Sequence, residues 1–184
     1  MIVKLATEPW EFEQIFNLNY STFVEEIPQH QGNEERKLRD KFHDKNKYII
    51  ALENKELIGM IAFIDERPFS LDYKLENIDE LLPTFKKPCE IRLLSIKKEH
   101  RGRLIFVKLF DEIKNVCKKN GYDIGVLSGT LLQIKMYEKI GCKPFGPLVG
   151  TKEAPYQPMY LTWQTIDPYL KVIEPVLQTK MRKK

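Results

Sequence analysis

No apolar run in this chain approaches the roughly 20 residues of a membrane-spanning helix, so no membrane partner is expected. Cysteine is scarce. Cys89, Cys117 and Cys142 show no metal-ligand spacing, so no metal site is expected and the three are read as reduced thiols of a cytoplasmic protein. The opening Met1-Ile2-Val3-Lys4-Leu5 lacks the long apolar stretch of a signal peptide. Internal repeats and low-complexity linkers are missing too. So is any nucleic-acid motif, and the net charge of +4 is a mild excess owed partly to Lys180-Met181-Arg182-Lys183-Lys184. That balance suits a solvated surface, and no nucleic-acid partner is expected.

What remains is an ordinary globular composition, 42% apolar and 30% charged over 184 residues, long enough to bury a core. Ile2–Leu5 reads as a strand. Thr7 is the expected N-cap of a helix with Pro9 in its first turn and Phe12, Ile15, Phe16 and Leu18 at helical spacing. Phe23, Val24 and Ile27 form a second apolar cluster closed by Pro28, and residues 38–44 suit a short helix. Residues 48–53 and 56–64 read as a hairpin turning at Asn54-Lys55. Residues 67–88 have no clear period and read either as a loop with a short helix near Ile78–Leu82 or as an excursion over the active face.

The densest stretch is 90–141. It predicts a strand over 90–96, a basic glycine-containing turn, a helix over 104–120 stopped by Gly121, a strand over 124–128, and a helix over 131–140 stopped by Gly141. A strand that feeds such a turn and a helix N-terminus makes an anion site. Two further strands, 145–149 and 159–163, and a terminal amphipathic helix over 168–179 complete the order. That order predicts a mixed α/β sheet with helices on both faces. Alternation along 90–96 places Glu90, Arg92 and Leu94 on one face and Ile91, Leu93 and Ser95 on the other.

Three anchors carry a resemblance: the strand Glu90–Ile96, the turn His100-Arg101-Gly102-Arg103, and Tyr137-Glu138-Lys139-Ile140-Gly141. In this order they resemble the GCN5-related N-acyltransferase superfamily over residues 1–165, with 166–184 as a C-terminal helix and basic tail. The N-terminal third, through Phe23-Val24-Glu25-Glu26 and Asp40…Asp44, is similar to the autoinducer synthase and N-acyl amino acid synthase branch. In that branch an Arg stands where this chain has Leu93, and Arg92 sits one place earlier.

The resemblance implies an α+β fold, mostly antiparallel, with a splayed parallel strand pair. It also implies an N-acyltransferase that uses acetyl-CoA or another acyl thioester and no metal. The donor's arm would lie along the backbone of Leu94, Ser95 and Ile96, and its phosphates at Arg101, Gly102, Arg103, Leu104, Ile105 and Phe106. Leu104 and Phe106 stand where the family has small residues. That departure fits acyl carrier protein, which presents only a phosphopantetheine, as an alternative to coenzyme A.

Tyr137 would donate a proton to the departing thiolate, and Thr130 stands where the family often has Asn. Glu90 is placed to take the proton of an amine acceptor, and Arg92 to bind an acceptor carboxylate. Glu25, Glu26, His30, Arg67, Tyr156 and Gln157 are read either as acceptor-pocket or as surface residues. No nucleophilic triad is visible, so direct attack in a ternary complex is expected. The alternative is a catalytically weak binding or regulatory module of the same fold. Monomer and homodimer both stay open.

Overall fold

The computed structural model describes residues 1–101, 104–152 and 155–182. The described elements are β1 (Ile2–Leu5), α1 (Pro9–Tyr20), β2 (Lys47–Glu53), β3 (Glu56–Ile64), β4 (Pro88–Ile96), α2 (Ile105–Lys119), β5 (Ile124–Thr130), α3 (Ile134–Lys139), β6 (Lys143–Pro144), β7 (Val149–Gly150), β8 (Pro155–Thr162) and α4 (Trp163–Arg182). The strand order is β1-β2-β3-β4-β5-β8-β6, with β7 on β8. Contacts divide the chain into two compact units, Met1–Phe63 with Leu93–Ile113, and Ile64–Arg92 with Lys114–Lys184.

In the first unit, Asn54 (φ 50°) and Lys55 (φ 64°) close the expected hairpin. Two consecutive positive φ values give the turn whose twist matches that of β-strands. β1 and β3 flank β2, both antiparallel. Ile15 and Leu18 of α1 pack on Tyr48, Ile50 and Leu52 of β2 and on Met60 and Ala62 of β3. The opposite face receives α2, where a Cβ built on Gly59 would lie 2.9 Å from Ile105 Cγ2.

α1 is capped differently from expectation. Glu8, not Thr7, is the N-cap, in a capping box with Glu11. Glu11 Oε2 accepts from the amides of Thr7 (2.8 Å) and Glu8 (3.1 Å), while its Oε1 pairs with Lys4 (2.6 Å). A carboxylate takes both amides where the Thr7 hydroxyl takes neither. Beyond α1 the apolar cluster around Phe23 forms a π-helical turn, Ser21–Glu26. Residues 38–40 are irregular and 41–45 form a turn rather than a helix, because Asp40 accepts from the amides of Phe42 and His43.

The second unit holds the parallel pair. Pro88, Cys89 and Glu90 pair with Ile124, Gly125 and Val126, after which no further pair of these two strands follows among the described residues although β5 runs to Thr130. β5 pairs antiparallel with β8 along its whole length, from Ile124↔Thr162 to Thr130↔Tyr156. One face carries a core of Ile64, Phe69, Leu71, Val126 and Phe145. On the opposite face Cys89 Sγ lies 3.8 Å from Cys117 Sγ of α2.

Two expected elements are corrected here. Residues 145–149 are not a strand, since Gly146 at φ 61° bends the chain between β6 and β7. α4 begins at Trp163, five residues before the expected Pro168, because Thr165 Oγ1 donates to the Thr162 carbonyl (2.9 Å) and Trp163 Nε1 to the Tyr122 carbonyl (2.5 Å).

The alternation expected along β4 is also corrected. Leu93 has φ 52°, a left-handed conformation that costs a branched residue of order 1–3 kcal/mol. In the second unit Cys89 faces Cys117 of α2. Leu93 packs instead into the core beneath α1, and Ile96 lies 3.3 Å from the Cβ position of Gly59, beside Ile105 of α2. One residue in the left-handed region therefore interrupts the regular pleat of β4.

Candidate active site

The donor-side residues lie in the first unit. The Ser95 hydroxyl is buried without a hydrogen-bond partner. Of the two bulky residues of the turn, Leu104 is buried, with Ile105 beside it, so its side chain points away from any ligand at the backbone, whereas Phe106 is half-buried. The rings of Phe106 and Phe110 pack with centroids 4.6 Å apart, tilted by 37°. Gly102 and Arg103 lie outside the described residues.

Arg101 is already engaged. Its Nε donates to the Ile96 carbonyl (3.0 Å) and its Nη2 to Glu26 Oε2 (2.6 Å) at the end of the π-helical turn. Asn17, Ser21, Glu25, Glu26, Lys97 and Lys98 help line a polar cavity of about 390 Å³ in this unit. Glu25 pairs with Arg36, Lys97 with Glu56, and His30 is exposed.

In the second unit the Tyr137 ring packs against Gly129 of β5. A Cβ on Gly129 would meet its ring at 3.0 Å, so the glycine makes room for the phenol. The phenol has no hydrogen-bond partner among the described residues, and burial pushes its pKa up to about 12. It is therefore protonated at neutral pH, as a proton donor must be. Ser128 and Thr130 are two residues apart on the other face of β5, and their buried hydroxyls are also unpartnered.

Glu90 is 1% exposed. Its Oε2 accepts from the Ser70 amide (2.8 Å), and its Oε1 from the Ser70 hydroxyl (2.5 Å) and the Leu71 amide (3.2 Å). Arg92 Nε stands 3.7 Å away. Burial raises the Glu90 pKa, while Arg92 and Ser70 pull it back. Ser70 went unnoticed in the sequence. Its only signal was a hydroxyl between two core residues, Phe69 and Leu71, in a segment without periodicity.

The remaining acceptor candidates are spread out. Arg67 pairs with Asp72 and Asp79, and Gln157 Nε2 donates to the carbonyls of Phe145, Gly146 and Pro158. Tyr156 packs beside the core under Lys74. Among the described residues no group of His, Cys, Asp and Glu could hold a metal, and no helix is long and apolar enough to cross a membrane.

The profile of the acetyltransferase (GNAT) domain family matches residues 18–111. Among solved structures, a CoA-dependent acyl-homoserine lactone synthase, BjaI, with SAM and isopentyl-CoA, superposes with a TM-score of 0.72 at 17% identity, covering 89% of this chain and 82% of that one. FeeM, an N-acyl amino acid synthase from uncultured soil microbes, gives 0.67 at 16% identity, covering 88% and 95%. An aminoglycoside 6'-N-acetyltransferase complexed with coenzyme A gives 0.62 at 15% identity, covering 88% and 97%. At these identities the likeness is one of fold. A comparison with curated protein sequences finds no match.

Proposed function

The chain belongs to the GNAT acetyltransferase domain family, and from that membership we propose that it moves an acyl group from a thioester donor to an amine acceptor. The observation that carries this reading is Tyr137, a buried phenol without a hydrogen-bond partner among the described residues, kept protonated and seated on Gly129. The donor's arm is assigned to the backbone of Leu94, Ser95 and Ile96, where an N–H polarises the thioester carbonyl. The amine nitrogen attacks that carbonyl carbon and the C–S bond breaks. Tyr137 protonates the leaving thiolate. The amine's proton passes to Glu90, directly or through water, and Arg92 orients an acceptor carboxylate.

Buried Leu104 supports phosphate binding at the turn, because only backbone donors are needed there and its side chain does not obstruct them, while Phe106 stays half-buried. Either coenzyme A or acyl carrier protein suits such a turn, with Arg101, Gly102, Arg103 and Phe106 completing it and Thr130 near the acid in sequence. A second reading, a donor-sensing module without turnover, draws on the engagement of Arg101 by Glu26.

A thiol-release assay separates the two readings, with acetyl-CoA, a longer acyl-CoA and acyl carrier protein as donors and a panel of amines and amino acids as acceptors. Acceptor-dependent thiol release with formation of an amide of matching mass supports transfer. Donor binding without release from any acceptor favours the sensor.

A further inference from the structure

From the contacts of Arg101 we infer that Glu26 is a specificity-setting residue, an ionic latch that competes with the donor's phosphate for the Arg101 guanidinium. The inference rests on the donor assignment above. Two groups assigned to the donor are occupied by the protein itself through one side chain. Arg101 Nε covers the Ile96 carbonyl at 3.0 Å, and Nη2 is bound to Glu26 Oε2 at 2.6 Å.

Glu26 is better shielded than its partner, with 14% of its side chain exposed against 46% for Arg101. The carboxylate is thus the fixed half of the pair, and the guanidinium the half that solvent and ligands reach. A phosphate brings more charge than a carboxylate and accepts the same two-pronged donation, so it can take Arg101 from Glu26. A neutral ligand cannot. Glu26 lines the cavity of about 390 Å³, so its carboxylate has solvated space once Arg101 leaves.

The latch opposes those donors whose phosphate must take Arg101, and a ligand without phosphate neither opens it nor competes with it. That is selection by an internal competitor rather than by added contacts to the ligand. Glu25, the adjacent carboxylate, supplies the internal control. It carries the same charge and lines the same cavity, but pairs with Arg36.

The test is calorimetric titration of the full chain with coenzyme A and, separately, with pantetheine, which lacks phosphate. Glu26→Gln is expected to tighten coenzyme A roughly fivefold, the scale of one partly exposed ion pair, and to leave pantetheine unchanged. Glu26→Ala should do the same, while Glu25→Gln should leave both affinities as they are. Unchanged coenzyme A affinity in both Glu26 variants overturns the latch. So does equal tightening by Glu25→Gln, which marks a general charge effect, or equal tightening of pantetheine. If coenzyme A binds neither the parent nor any variant, the donor assignment itself fails and takes the latch with it.

Discussion

Ser70 gives Glu90 both of its donors, its backbone amide to one carboxylate oxygen at 2.8 Å and its hydroxyl to the other at 2.5 Å. A residue far away in the chain thereby fixes the orientation of the proposed base. Ser70→Ala removes the shorter of the two bonds and leaves a buried charge undersupplied, at a cost of about 1–3 kcal/mol in chemical denaturation. A change within a few tenths of a kcal/mol would show the hydroxyl to be incidental.

The raised pKa of Glu90 has a sign that stability measurements can read. A carboxyl whose folded pKa lies above its ordinary value of 4.5 favours the folded state fully below that value. That contribution is lost as pH rises through the folded pKa. Glu90→Gln should therefore flatten the pH dependence of stability in the window above 4.5. An unchanged profile in the variant would place the titration elsewhere.

Glu11 carries the opposite sign. Burial alone would raise its pKa, but Lys4 and the amides of Thr7 and Glu8 outweigh burial and hold it below the ordinary value of 4.5. Its contribution is present above that value and lost as pH falls through the lowered pKa. Glu11→Ala should cost about 1–2 kcal/mol at neutral pH by removing the cap. The cost should shrink on acidification. A loss independent of pH would point to packing instead.

Tyr137→Phe should lower turnover by on the order of 10²-fold with donor affinity unchanged. A phenol near 12 also predicts no loss of activity from its own ionisation at neutral or mildly alkaline pH. Gly129→Ala would add a methyl 3.0 Å from the ring and 3.2 Å from Met159 Sδ, so the phenol must shift. It should reduce turnover while leaving most of the stability in place. Parent-like activity in Tyr137→Phe removes the residue from the mechanism.

The three cysteines are free and buried, and burial raises the Cys142 pKa to about 12. A charged thiol reagent should label none of them quickly in the native protein, and all three after denaturation, as read by intact mass. Rapid labelling of the native chain would contradict their burial.

Elements with strong periodicity or unambiguous stops were legible in the sequence. The hairpin at Asn54-Lys55, α2 ending at Gly121 and the helical turn before Gly141 follow from local chemistry, and the two glycines take φ 75° and 94°. The family's anchors lay in that legible part. What escaped notice depends on partners distant in the chain. Ser70 acquires a role only when Glu90 folds against it, and Arg101 reads as a free phosphate ligand until Glu26 reaches it. Thr7 lost the cap to Glu8 and Glu11 because a carboxylate three residues into the helix reaches two amides.

Leu93 alters how β4 should be counted. With φ 52° in mid-strand, the regular alternation of the strand is interrupted after residue 92. A substitution scan through Cys89–Ile96 should show tolerance alternating with one phase before Leu93 and the opposite phase after it. An aligned residue one place away from its relatives can stand on the same side of the sheet as they do. Arg92, one place early by count, is to be compared with other chains by the side it faces.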